Sequence, residues 1–247
     1  MRFDRVIAVR NNKTVYRDGD TCIKVFRCGY ASSDVLREAF HHAYVRELGV
    51  DVPTLFRVTQ YKDEWAIEMQ HIRGKTLQQM LAEADADRDD CIRQLAAVHA
   101  ALHRHAAPML PYQRDAVLRR IRALDADGVD TERLCTQAEA LAGQGCLCHG
   151  DFQPSNILIG LDGIRYVLDW PHAVQGDPRF DAAVTCLRLL TEYGAAASEI
   201  YLAAYTRASD RADAEIRAFF ALAAASLWTV VGAGERAALK EFLQADT

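Results

Sequence analysis

Three residues with hard oxygen donors fall within a short stretch: Asp151, Asn156 and Asp169. Asp151 and Asn156 stand in a loop bounded by apolar runs, and Gly150 and Pro154 oppose a continuous helix or strand through it. Beyond it, Ile157–Ile159 and Tyr166–Leu168 are two apolar runs joined through Asp162-Gly163, a strong hairpin signal. A hairpin returns the chain to its start, so Asp169, at the end of the second strand, is expected to lie near Asn156. Carboxylate and amide oxygens suit a hard cation such as Mg²⁺, and Mg²⁺ holds nucleotide phosphates.

The surrounding pattern supplies the elements that must position these residues. Arg5–Val9, Thr14–Arg17 and Cys22–Phe26 read as short strands, separated by turn signals at Asn11-Asn12 and Asp18-Gly19-Asp20. Ser32-Ser33-Asp34 offers caps for a helix carrying Val35, Leu36, Ala39, Phe40, Ala43, Tyr44 and Leu48, stopped by Gly49 and Pro53. Thr54–Thr59 and Trp65–Met69 add two strands. From Thr76 the pattern turns helical, over Leu77–Ala84, Asp89–His105, Gln113–Leu124 and Thr131–Ala142, and again from about Phe180. The expected fold is α+β, a small antiparallel N-lobe with one helix over residues 1–73 and a larger helical C-lobe over 74–247. A chain-wide parallel sheet would need regular strand–helix alternation instead.

Composition limits the function classes. The chain has 247 residues, half of them hydrophobic, enough for one large domain or two lobes. The net charge of −5 disfavours a dedicated nucleic-acid binder. No long apolar run suggests a membrane span, and the first residues lack a signal-peptide core, so the cytoplasm is expected. Seven cysteines with no CxxC pair argue against a zinc ribbon or disulfide scaffold. Cys146 and Cys148 are expected to be reduced and buried. His99 and His103 lie one helical turn apart, with no third ligand evident nearby, so helix packing is expected rather than a metal site.

His149-Gly150-Asp151-Phe152-Gln153-Pro154-Ser155-Asn156 resembles the catalytic loop of the aminoglycoside phosphotransferase and choline kinase superfamily. It is similar to the protein-kinase HxDxxxxN motif, with Gly150 where protein kinases carry Arg. Leu168-Asp169-Trp170 resembles the metal-binding Asp motif, and Gly176-Asp177-Pro178-Arg179-Phe180-Asp181-Ala182 the GDPxxDxA stretch of that superfamily. The loop alone is a pattern that chance can supply; the three segments in order are not.

The resemblance implies a two-lobed kinase-like fold that binds ATP and Mg²⁺ and phosphorylates a small-molecule hydroxyl. It makes Asp151 the catalytic carboxylate that orients the acceptor hydroxyl and takes its proton, and Asn156 and Asp169 the metal ligands. It makes Lys24 in the third strand the nucleotide-phosphate lysine, with Glu38 of an REA-like segment as its partner; Glu47 is the rival on the same helix. Backbone groups near Gln70–Ile72 are expected to meet adenine. His149 is expected to brace the loop and Asp181 to anchor its backbone.

One departure is plain: Arg10-Asn11-Asn12-Lys13 holds no glycine, which favours a small-molecule kinase over a protein kinase and leaves the γ-phosphate contacts unexplained. The acceptor stays open. An aminoglycoside or other antibiotic would want acids, and from Asp181 onward nine Asp or Glu stand against six Lys or Arg, too small an excess to decide. A choline-like or other amino-alcohol acceptor would want an aromatic cage, for which Trp170, Tyr193, Tyr201, Tyr205 and Trp228 are available; a sugar is a further alternative. A non-catalytic, pseudokinase-like nucleotide-binding module usually lacks the lysine or one acid, and none is missing here.

Overall fold

The computed structural model describes residues 4–244 except 11, 127 and 142–144, with the backbone alone for Arg10. Asn11 of the first expected turn, Ala142 at one expected helix end and the first three residues therefore lie outside the described residues. In chain order the elements are β1 (Arg5–Arg10), β2 (Lys13–Asp18), β3 (Thr21–Phe26), α1 (Ser32–Glu47), β4 (Leu55–Tyr61), β5 (Glu64–Gln70) and β6 (Gly74–Thr76). There follow α2 (Leu77–Leu81), α3 (Arg88–Leu102), α4 (Gln113–Arg122), α5 (Thr131–Glu139), β7 (Cys146–Cys148), a 3₁₀ turn (Pro154–Asn156), β8 (Ile157–Gly160), β9 (Arg165–Val167) and β10 (Val174–Gly176). The chain ends in α6 (Pro178–Tyr193), α7 (Ala195–Ser209), α8 (Asp213–Arg217), α9 (Phe220–Trp228) and α10 (Ala233–Gln244). This is an α+β kinase-like fold, an antiparallel sheet with one helix followed by a helical region. No helix among the described residues is long and apolar enough to cross a membrane.

The chain forms two compact units, residues 1–76 with 155–171, and residues 77–154 with 172–247. In the first, a five-stranded antiparallel sheet has the order β1-β2-β3-β5-β4. A two-residue loop, Gly19-Asp20, joins β2 to β3, and Gly19 takes φ +57°, which a side chain would resist. Helix α1 lies on the sheet through Val35 and Ala39, one turn apart, against Phe26 and Ile67.

The buried face of α1 is not the purely apolar stripe expected. Leu36 and Phe40 are exposed, whereas Glu38, His41 and His42 are buried. The expected serine caps are not used either: the helix starts after Ala31 with no side-chain cap bond, and Asp34 sits in its first turn. The β8–β9 hairpin turns through Asp162-Gly163 as expected, and β6 pairs with β8 to make a three-stranded sheet.

In the second unit, Asp87, Asp130 and Asp177 cap α3, α5 and α6 by accepting backbone amides of their first turns. Helix α6 packs on α7 and α9, and α3 on α7. The two-stranded β7–β10 ribbon precedes α6. All seven cysteines carry free thiols, with Cys148 buried and Cys146 half-buried.

Candidate active site

In the first unit, the β2–β3 register sets Lys24 opposite Val15 and Lys13 opposite Phe26. Residues directly opposed across an antiparallel pair share a face, and alternate residues along a strand do too. Lys13 and Lys24 therefore project from the same face of the sheet. Lys24 is buried, and its ammonium bonds Glu38 Oε1 and, at 2.6 Å, Asp169 Oδ1. Lys13 reaches the same Asp169 oxygen at 3.1 Å, with Glu38 Oε2 3.7 Å away. Glu47, the alternative partner, is exposed at the end of α1.

Charges set the protonation of this cluster. Burial works against a charge on Lys24, but Asp169 and Glu38 outweigh it and raise its pKa. Burial likewise opposes ionisation of Asp169, yet Lys24 and Lys13 hold its carboxyl far below the usual range. Lys13 is the weak member: burial and the neighbouring Lys24 pull its pKa down, against Asp169 and Glu38.

Asp169 stands two residues past β9 at φ +65°, a left-handed conformation uncommon for a non-glycine residue. Leu168 donates its amide to the Asn156 carbonyl at 2.8 Å, so the hairpin does return the chain beside Asn156, which is buried. Both lysines hold Oδ1 of Asp169, leaving Oδ2 outside these bonds. An ionised carboxylate with one uncommitted oxygen and a buried amide nearby are donors that fit a hard divalent cation.

At the expected hinge, the amides of Gln70 and His71 are taken by the carbonyls of Thr54 and Asp20. Ile72 is the residue of the three whose backbone makes no such bond among the described residues.

In the second unit, the loop bearing Asp151 is held by one face of α6. Asp181 accepts the amides of His149 at 2.8 Å and Gly150 at 3.1 Å, on separate oxygens. One turn on, Thr185 Oγ1 donates to the Phe152 carbonyl at 3.1 Å. A further turn on, Arg188 Nη2 lies 2.7 Å from Asp151 Oδ1, while Gln153 donates to Oδ2 at 2.9 Å. Residues 181, 185 and 188 follow the i, i+4, i+7 spacing of one helix face. His149 is buried, and its Nδ1 accepts the Asp151 amide at 3.3 Å. Gly150 takes φ +75°, and a Cβ there would come within 2.4 Å of the His172 carbonyl.

Behind Asp181 lie His99 and His103, whose Nε2 atoms approach Oδ2 at 3.1 and 3.3 Å. The third candidate ligand, not evident in the sequence, is thus Asp181, and the three groups are close enough to hold an ion. Hydrogen bonding accounts for the arrangement without one. An ionised carboxylate only accepts, so each Nε2 donates; His99 Nδ1 meets the Tyr201 hydroxyl at 2.6 Å and His103 Nδ1 the Tyr205 hydroxyl at 2.7 Å. Burial, with His103 alongside, depresses the pKa of His99 to about 3, so this ring is neutral. Burial alone would raise the Asp181 carboxyl, but the hydrogen bonds from His103 and His99 hold it well below the usual range.

Residues 5–219 match the family described as the phosphotransferase enzyme family. The chain belongs to this family. Among solved structures, a phosphotransferase described as aminoglycoside-3'-phosphotransferase of type VIII is 20% identical with a TM-score of 0.62, over 98% of this chain and 92% of that one. A thermostable mutant of aminoglycoside phosphotransferase APH(4)-Ia, solved with AMP-PNP and hygromycin B, is 15% identical with a TM-score of 0.70, over 97% and 92%. Choline kinase LicA from Streptococcus pneumoniae is 15% identical with a TM-score of 0.65, over 99% and 92%. At these identities the likeness is one of fold. No curated protein matches the sequence.

Two side chains that touch the expected site residues do not stand out in the sequence: Lys13 at Asp169 in the first unit, and Arg188 at Asp151 in the second. Each carries a local signal: Lys13 stands two residues before Val15 in its strand, and Arg188 falls seven residues after Asp181 on one helix face. Four of the five aromatics weighed for an amino-alcohol cage are engaged within their own units. Tyr201 and Tyr205 are buried and bonded to the two histidines, Trp170 is buried in the first unit, and Trp228 donates to the Asp125 carbonyl.

Proposed function

We propose that this phosphotransferase transfers the γ-phosphoryl group of ATP to a hydroxyl of a small molecule. The observation that carries the reading is Lys24 locked between Glu38 and Asp169, a buried ammonium aimed at a carboxylate suited to a cation. Lys24 would hold the α- and β-phosphates, with Glu38 fixing its side chain. The backbone near Ile72 would meet adenine. Asp169 and Asn156 would hold Mg²⁺, which when bound neutralises charge on the phosphates. Asp151, steadied on both oxygens by Arg188 and Gln153, would orient the acceptor hydroxyl and take its proton, positioning being the larger effect.

The charge around Asp151 favours an acceptor that is not a polycation. Arg188 touches the carboxylate, and Arg120 lies close enough to feel both charges. Arg120 is half-buried and bonds Ser226 Oγ at 3.1 Å. One guanidinium paired to the base and a second within electrostatic reach, against the acid Glu192 4.0 Å from Arg188, favour a neutral or acidic hydroxyl compound over an aminoglycoside's ammonium groups. With Tyr201, Tyr205, Trp170 and Trp228 engaged elsewhere, sugars and hydroxy acids are the favoured acceptors over amino alcohols.

The test is ADP formation from Mg-ATP against a panel of sugars, hydroxy acids, choline and kanamycin. Transfer to a sugar or hydroxy acid supports the reading. Transfer to kanamycin alone overturns the acceptor class, and no ATP binding overturns the proposed activity.

A further inference from the structure

The Lys24 cluster holds two cations where the phosphate-lysine reading uses one. Lys13 and Lys24 converge on a single oxygen of Asp169, at 3.1 and 2.6 Å. The four charged groups, two lysines with Glu38 and Asp169, balance as they stand. Their pairings are unequal. Lys24 keeps Glu38 as a close partner of its own, whereas Lys13 is 3.7 Å from Glu38 and depends on Asp169. If Asp169 is shared with Mg²⁺ through Oδ2, as the reading above has it, Lys13 is the group that loses most of its counter-ion. It is a half-buried ammonium, so losing that partner is costly unless another anion replaces it.

The place of Lys13 says which anion. It is the first residue of β2, directly after the β1–β2 turn, and that turn contains no glycine. In kinases with a glycine-rich turn at this point, backbone amides cover the phosphates. Without a glycine, the turn lacks the residue that lets a backbone approach so closely. An ammonium on a flexible four-carbon stem binds phosphate as a point charge and needs no such approach. Lys13 shares the sheet face of Lys24, so one phosphate chain could reach both ammonium groups.

We propose that Lys13 is a second phosphate-binding lysine, holding the terminal phosphates of ATP in place of glycine-loop amides. This rests on the ATP-binding reading given above. Lys24 serves the inner phosphates, and Lys13 exchanges Asp169 for the outer ones when nucleotide enters.

The experiment is calorimetric titration of ATP, ADP and AMP, each with Mg²⁺, into the wild type and Lys13→Ala and Lys13→Arg variants, with circular dichroism to confirm folding. Lys13→Ala should weaken ATP about ten-fold or more, the loss of one charge-assisted contact, and leave AMP within about two-fold. Lys13→Arg should recover most of the ATP affinity. Equal weakening of ATP and AMP makes Lys13 a merely structural ion pair and overturns the proposal, as does unchanged ATP affinity in the folded Ala variant. Should Lys13→Ala fail to fold, Lys13→Gln replaces it, read the same way. A wild type that binds AMP but gains nothing from the added phosphates overturns the Lys13 role alone; a wild type that binds none of the three overturns the ATP reading itself.

Discussion

Arg188 Nη2 stands 2.7 Å from Asp151 Oδ1, joining the middle of α6 to the carboxylate at the head of the loop it grips. Asp151→Asn keeps the shape of the side chain and removes its charge. Transfer should fall by about two to four orders of magnitude while ATP affinity changes only a few-fold. Arg188→Met leaves Asp151 charged but held on one oxygen only by Gln153, and should cost about 10²-fold in kcat. Steady-state rates beside ATP titration on each folded variant decide this; full activity in Asp151→Asn removes it from the chemistry.

Glu38 and Glu47 share α1 but not its buried face. Glu38→Gln should lower nucleotide affinity through Lys24, and Glu47→Gln, exposed, should be silent. Lys24→Ala should be worse than either, because it strips buried Glu38 of its closest partner, and should lose about 3 kcal/mol of stability. Chemical denaturation and ATP titration read the two effects; a silent Glu38→Gln with a damaging Glu47→Gln would overturn the pairing's role.

Asp169→Ala should abolish Mg²⁺-dependent ATP binding. Metal-free nucleotide affinity should change less, because Lys13 and Lys24 are then released from the carboxylate rather than removed. Titrating ATP with Mg²⁺ and with EDTA separates the two. Equal loss in both conditions would mean that Asp169 serves the lysines and not the metal.

His99 links stability to pH. Its pKa in the folded chain is about 3, below the ordinary 6.5, so on acidification the unfolded chain takes up a proton that the folded chain refuses. Stability should therefore fall as pH drops from about 6.5 towards 3. Asp181, also depressed, adds loss in the same direction below the usual carboxylate range. Thermal melts between pH 7.5 and 4.5 should show a falling midpoint, with a shallower fall in His99→Gln. Asp181→Ala, which leaves the donors of His149, Gly150, His99 and His103 without their acceptor, should lose at least about 3 kcal/mol at neutral pH. An equal pH slope in wild type and His99→Gln would rule His99 out as the source.

The sequence by itself determined what rests on local pattern. Alternating apolar runs with tight turns make the β1–β5 sheet, Asp162-Gly163 makes the β8–β9 hairpin, and the spacing from His149 to Asp169 to Asp181 carries the family resemblance. These hold because each depends on neighbours a few residues apart. Three-residue strands such as β6 and β10 show no periodicity, and only their partners define them. Tertiary structure alone decided which polar groups meet. Glu38 rather than an apolar residue faces the sheet, Arg188 finds Asp151 across 37 positions of chain, and His99 and His103 find Tyr201 and Tyr205, each 102 residues away. A helical pattern tells which face is buried, but a buried charge or ring nitrogen must be satisfied by whatever packing brings opposite it. That choice is written in contacts between distant elements, where no local spacing records it.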